Sequence, residues 1–195
     1  EHYYPQYLDH LSTCKSPMSM YGAVSKTYYA EKFGLDPKSV YTVAIMPCTA
    51  KKFERTRTEL SGAGLPDIDA VLTVRELARL IKRKGIMLNN LAKGEFDAPM
   101  GIASSAGLIF GATGGVMEAA LRTLAEVIDK KELTHLDYNE VRGVKGIKEA
   151  TYNLGGKDVK VAVASGLNNA KVLMEKIKKG EADYHFIEIM CCPGG

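Results

Sequence analysis

Val159-Lys160-Val161-Ala162-Val163-Ala164, then Ser165-Gly166, a run from Asn168 to Lys179, Gly180, and finally Tyr184-His185-Phe186-Ile187-Glu188-Ile189-Met190: this stretch decides the fold class. It reads as a strand, a turn at Gly166, a helix ending before Gly180 and a second strand. Strand-helix-strand units with short loops place their strands parallel in one sheet and lay the helix over it.

Working outward, Ala150 to Leu154 forms a hairpin arm that turns through Gly155-Gly156, and a strand-like segment lies about Val141. Val116, Ala119, Ala120, Leu121, Leu124, Val127 and Ile128 recur at helical spacing, which predicts a helix from Gly114 to Lys130. Asn89 to Ser105 contains Gly94, Pro99 and Gly101 and few periodic positions; it reads as a long connection between two lobes, 1–100 and 101–195. Upstream, Ile68 to Leu72 is a short strand. Thr73 then caps a helix reaching about Lys84, with Glu76 three residues on completing a capping box. Val40-Tyr41-Thr42-Val43-Ala44-Ile45-Met46 is a β-branched apolar run that stops at Pro47-Cys48, the pattern of a buried parallel strand. Met18, Tyr21, Val24, Ser25, Tyr28 and Tyr29 predict a helix ending at Gly34. The expected fold is α/β: two lobes of twisted, mostly parallel sheet flanked by helices, with a site in the crevice between them.

Composition narrows the function. The 195 residues carry 26 Lys and Arg against 23 Asp and Glu, a net charge of +3, which excludes an obvious polybasic binder of nucleic acid or membrane surface. With 46% hydrophobic and 25% charged residues the chain is ordinary globular protein, able to bury a core. No apolar run approaches the roughly 18 to 20 residues that span a bilayer. The chain opens at Glu1 in a polar, aromatic stretch, with no basic and apolar leader.

Four cysteines, Cys14, Cys48, Cys191 and Cys192, are too few for a disulfide scaffold of this length. Two of them follow predicted strands, where open α/β sheets bind their ligands: Cys48 after Ile45-Met46-Pro47, and Cys192 after the strand ending at Met190. Met precedes and Pro adjoins in both places. One such thiol is more often a small core residue, but two alike favour a shared ligand. Zinc would usually bring a Cys-x-x-Cys knuckle, which is absent; an iron–sulfur cluster suits soft thiolates but takes four. Lys51 and Lys52 stand three and four residues past Cys48, able to donate to an anion or to face solvent. Gly111-Ala112-Thr113-Gly114-Gly115 aims backbone N–H groups from a helix start, yet lacks the Walker A lysine and GxGxxG spacing, so close packing is the simpler reading. His2, His10, His135 and His185 are isolated and show no metal spacing.

Taken together, these segments resemble the catalytic domain of the iron-only (FeFe) hydrogenases. The resemblance rests on Leu11-Ser12-Thr13-Cys14-Lys15-Ser16-Pro17, Met46-Pro47-Cys48-Thr49-Ala50-Lys51-Lys52-Phe53-Glu54, Asp67 to Thr73 with Arg75-Glu76-Leu77, Gly107 to Glu118, Val141-Arg142-Gly143, and Glu188-Ile189-Met190-Cys191-Cys192-Pro193-Gly194-Gly195. It covers essentially the whole chain in the family's order, and the Met-Pro-Cys segment is its most specific part.

The resemblance implies an H-cluster as cofactor, sited in the crevice between the lobes. A 4Fe-4S cubane held by four cysteines shares one thiolate with a diiron unit that carries CO, cyanide and an azadithiolate bridge. It implies Cys48 and Cys192 as cubane ligands, Lys51 as a hydrogen-bond donor to a cyanide, Met46, Met190, Phe110 and Gly111 as walls of the diiron cavity, and Ser12 as a station on the proton path. The family's first signature is expected upstream of Glu1 and its bridging cysteine directly after Gly195, so the chain reads as an internal fragment, inactive by itself, of a hydrogenase that reduces protons reversibly to hydrogen. Cys14 lies outside the ligand set, Cys191 stands where a small residue is usual, and Met18 stands where many members carry Gln. The implied partners are ferredoxin or accessory iron–sulfur domains or subunits as electron donors, and hydrogenase maturation proteins, with no nucleic acid and no membrane. The implied setting is an anaerobic cytoplasm, although some members are periplasmic. Two alternatives stay open: an iron–sulfur assembly or scaffold protein akin to the prelamin-binding relatives, and a hydrogen sensor built on the same site. Met46, Lys51 and Met190 rank the enzyme first.

Overall fold

The computed structural model describes residues 2–102, 104–130, 141 and 146–192, and the chain divides into two compact units, Glu1–Gly101 and Ile102–Gly195. Both are α/β, with helices flanking small sheets. Among the described residues no helix is long and apolar enough to cross a membrane.

In the first unit, helix α1 (Pro17–Val24) runs into a π-helical turn (Ser25–Tyr29) and then α2 (Ala30–Lys32), ending at Gly34 with φ 62°. The sequence predicts one uninterrupted helix here. The turn widens where the Ser25 and Thr27 hydroxyls donate to the carbonyls of Tyr21 and Ala23, bonds that compete with the helical ladder. Strand β1 (Val43–Met46), helix α3 (Ala50–Glu54), strand β2 (Ala70–Thr73) and helix α4 (Val74–Arg83) follow. β1 and β2 pair in parallel, Val43 opposite Ala70 through Met46 opposite Thr73. The Thr73/Glu76 capping box forms as expected.

Three expectations about the strands are corrected in this unit. The predicted strand Val40 to Met46 pairs only from Val43, because Asp69 captures its approach: the Asp69 carboxylate accepts from Thr42 N at 2.7 Å and from the Thr42 hydroxyl at 2.9 Å. Nor is the strand buried on both faces. Val43 and Ile45 are 49% and 47% exposed, while Ala44 and Met46 pack with Met18, Ile68 and Val71. The second strand likewise starts at Ala70 rather than Ile68, since Ile68 serves as core ahead of the ladder.

Helix α1 crosses the chain ahead of β2 at very short range. A Cβ on Gly22 would stand 2.2 Å from the Asp67 carbonyl oxygen. One turn on, the buried Lys26 ammonium donates to Pro66 O at 2.6 Å and to Asp69 at 2.8 Å. Glycine at the crossing and a paired lysine beside it fix the register of helix against strand.

The second unit holds helices α5 (Ser105–Ile109) and α6 (Gly115–Asp129), strands β3 (Ile147–Leu154) and β4 (Lys157–Ser165), helix α7 (Leu167–Lys178) and strand β5 (Phe186–Met190). The sheet order is β3-β4-β5, with β3 antiparallel and β5 parallel to β4. The expected strand-helix-strand unit and the hairpin at Gly155-Gly156 are therefore both present. Along β4 successive side chains face opposite sides. Val161 and Val163 pack with Met117, Leu121 and Ala125 of α6; Ala162 and Ala164 pack with Ala170 and Leu173 of α7. A helix on each face explains why this run is apolar at consecutive positions. Val141 is fully buried in the α6-side cluster, and the rest of the strand-like segment expected around it lies outside the described residues.

Candidate functional site

Cys48 stands two residues beyond β1 and two before α3, half-buried. The parallel pairing of β1 delivers the thiol to the carboxyl end of the sheet. Met46, at the strand end, packs on Met18, Ala44, Ile68 and Val71. Lys51 lies one helical turn past Cys48, and its ammonium meets the Glu54 carboxylate at 2.6 Å. The other Glu54 oxygen accepts from Ser19 Oγ at 2.7 Å and from Ser16 Oγ. Burial pushes the Glu54 pKa up, but the bonds from Lys51, Ser16 and Ser19 outweigh it and hold the carboxyl below its ordinary value. Lys52 is spent elsewhere, paired with Glu76 at 2.6 Å. Ser12 is exposed, its hydroxyl accepting from Cys14 N at 3.2 Å.

In the second unit Cys192 stands two residues beyond β5, half-buried, with Met190 half-buried at the strand end. The Met190 carbonyl accepts from Gly166 N at 2.7 Å, tying the strand end to the turn before α7. The glycine loop at 111–115 binds a group from its own chain: Glu188 of β5 accepts from Gly114 N at 3.0 Å and Met117 N at 2.7 Å. This buried carboxylate occupies the start of α6, where helix N–H groups favour negative charge. The close packing expected of this loop is literal, since a Cβ on Gly115 would stand 1.7 Å from the Ile109 carbonyl oxygen. Half-buried Phe110 precedes the loop and exposed Gly111 opens it, so Glu188 ties this segment to the strand carrying Met190.

Met46, Cys48 and Lys51 thus share one strand-loop-helix corner, and Phe110, Gly111, Met190 and Cys192 share the α6–β5 corner of the other unit. Cys14 and Cys191 are exposed, whereas Cys48 and Cys192 are half-buried. Among the described residues no three His, Cys, Asp or Glu side chains gather as a metal-binding group. Sequence reasoning missed the roles of Glu54, Ser16, Ser19 and Glu188. The signals were there for the carboxylates: Glu54 sits at i+3 from Lys51, and Glu188 is the lone charge in an otherwise apolar strand.

Residues 1–195 match the family described as "Iron only hydrogenase large subunit, C-terminal domain". The chain is 54% identical over 195 residues to the periplasmic [Fe] hydrogenase large subunit of Nitratidesulfovibrio vulgaris, covering all of this chain and 46% of that protein. It is 32% identical over 197 residues to the mouse (Mus musculus) cytosolic iron-sulfur assembly component 3, covering 96% of this chain and 40% of that one. A solved structure of the [FeFe]-hydrogenase HydA1 from Chlamydomonas reinhardtii superposes with a TM-score of 0.79 at 40% identity, over 98% of this chain and 56% of that one. The chain therefore spans less than half the length of these two curated relatives. A match over every residue means that the chain belongs to the iron-only hydrogenase large-subunit family, within its C-terminal domain.

Proposed function

We propose that this chain is an internal part of the catalytic region of an [FeFe] hydrogenase, whose full-length form joins protons and electrons reversibly into molecular hydrogen. The observation that carries the reading is the repeated corner: a half-buried thiol two residues past a parallel strand that ends in methionine, once in each unit. The 54% identity to a hydrogenase against 32% to an iron–sulfur assembly component favours the enzyme over the scaffold.

The donor chemistry fits an iron–sulfur group. Cys48 and Cys192 are soft ligands, partly accessible, each with a methionine two residues before it in the chain. In this proposal they supply two of four cubane thiolates, and the other two come from cysteines outside residues 1–195. An H-cluster bound there would supply the redox chemistry of hydrogen. The protein's own residues do the rest. Lys51 donates a hydrogen bond to an anionic cyanide, Met46, Met190 and Phe110 exclude bulk water, Gly111 leaves room for a bulky group, and the Ser12 hydroxyl relays protons at the surface end. Electrons would arrive from ferredoxin or accessory iron–sulfur domains, and maturation proteins would install the diiron unit. The name of the N. vulgaris relative makes a periplasmic site as natural as a cytoplasmic one.

The test is the full-length parent, matured anaerobically with hydrogenase maturation proteins. Hydrogen evolution with CO and cyanide infrared bands is expected; iron–sulfur absorption without those bands would overturn the enzyme in favour of the assembly protein. Cys48→Ser should abolish stable cubane binding in the same preparation, read as iron content.

A further inference from the structure

The Glu54 carboxylate is held from three directions. One oxygen accepts from Lys51 at 2.6 Å; the other accepts from Ser19 at 2.7 Å and from Ser16. Its side chain is only 16% exposed, and Ser19 is 1% exposed. The serines lie at the start of α1, 38 and 35 residues from Glu54 in sequence, so the carboxylate joins two separate segments. Lysine is a compact charge on a flexible four-carbon stem, and it reaches a fixed point only if something else restrains it. Glu54 is the one restraining partner seen for the Lys51 ammonium among the described residues, and the serines stop the carboxylate from rotating to follow it. One ammonium proton is spent on Glu54, which leaves the other two to be aimed.

We infer that Glu54, clamped by Ser16 and Ser19, is the positioning residue that aims the Lys51 ammonium at the anionic ligand beside Cys48. This rests on the function proposed above, in which Lys51 donates to a cyanide. Glu54 touches neither cluster nor substrate; it acts through the lysine. The Lys51 side chain is 28% exposed, so the arrangement is that of a half-buried lysine whose carboxylate partner is fixed by a second chain segment.

The experiment uses the full-length matured protein and reads the infrared cyanide bands, which a merely structural role would leave in place. Lys51→Met sets the displacement expected when the donor is lost. Glu54→Gln should displace the bands to the same side by a smaller amount, and Ser19→Ala, which leaves the Lys51–Glu54 pair intact but removes one of the two serine bonds to the carboxylate, should displace them less again. In the double variant Glu54→Gln with Lys51→Met, the Glu54 change should add nothing, since both act through one interaction. Bands displaced by Lys51→Met but unmoved by both Glu54→Gln and Ser19→Ala overturn the positioning role. Bands unmoved by Lys51→Met itself overturn the cyanide contact, and with it the reading on which this inference rests. Should Glu54→Gln fail to accumulate as folded protein, Ser19→Ala alone decides, by the same comparison.

Discussion

Glu188 shows how much one side chain decides. It lies on β5 two residues before Met190, is 7% exposed, and its two oxygens accept from Gly114 N and Met117 N. Removing it strands two buried donors at a helix start. Glu188→Ala should therefore cost about 3 kcal/mol, with Glu188→Gln recovering part of that because its amide oxygen still accepts. Urea unfolding checks this, and an unchanged midpoint for Glu188→Ala would overturn the capping role. Glu76 makes a prediction about pH. Hydrogen bonds from Lys52, then from the Thr73 backbone and hydroxyl, lower its pKa from 4.5 to about 2. A folded-state pKa below the unfolded value contributes stability that is present above about 4.5 and is lost as pH falls through about 2. NMR titration of the Glu76 carboxyl should give a midpoint near that lower value, and Glu76→Gln should remove the corresponding acid dependence of α4. A midpoint at the ordinary glutamate value would refute the cap.

Helix α1 crosses the chain at Gly22, where a Cβ would stand 2.2 Å from the Asp67 carbonyl oxygen and 2.8 Å from Ile68 Cδ1. Backbone cannot yield as a side-chain tip can, so Gly22→Ala must lift the helix and stretch the Lys26–Asp69 pair. The expected loss is about 2 kcal/mol, an overpacking cost. Gly34→Ala is the contrast: its φ of 62° is unfavourable for alanine but nothing lies near its Cβ, so about 1 kcal/mol is expected. Thermal denaturation of the two variants should separate them in that order; equal losses would mean that the crossing is not tight. The same contrast explains what was legible in the sequence. Thr73 and Glu76 announce their cap because both partners lie within one turn. Val40 to Thr42 look like strand and are not, because the competing acceptor is Asp69, 27 residues beyond Thr42.

Over the whole chain, the thiols set the limit. Of four cysteines, Cys48 and Cys192 are half-buried two residues past parallel strands, whereas Cys14 and Cys191 are exposed, Cys191 directly after β5. A four-iron cubane needs four thiolates, so the 195-residue chain reconstituted with iron and sulfide should not accumulate a stable four-iron cluster, whereas the full-length parent should. Iron and sulfide analysis with electron paramagnetic resonance reads the result. A stable four-iron signal on the 195-residue chain would overturn the assignment of only Cys48 and Cys192 as ligands.

The sequence by itself determined the fold class, the two cysteine corners and the family. Those signals are local: the apolar run at Val159 to Ala164, the Met-Pro-Cys segment and the Thr73/Glu76 cap each lie within a few residues of one another. Only the tertiary structure decided where the remaining charges go. Glu54 meets Ser16 and Ser19, Glu188 meets the start of α6, and Lys26 meets Asp69 across separations of 35 to 74 residues. A buried charge must find its partner, but nothing in the spacing of residues along the chain says which distant donor the fold will bring to it.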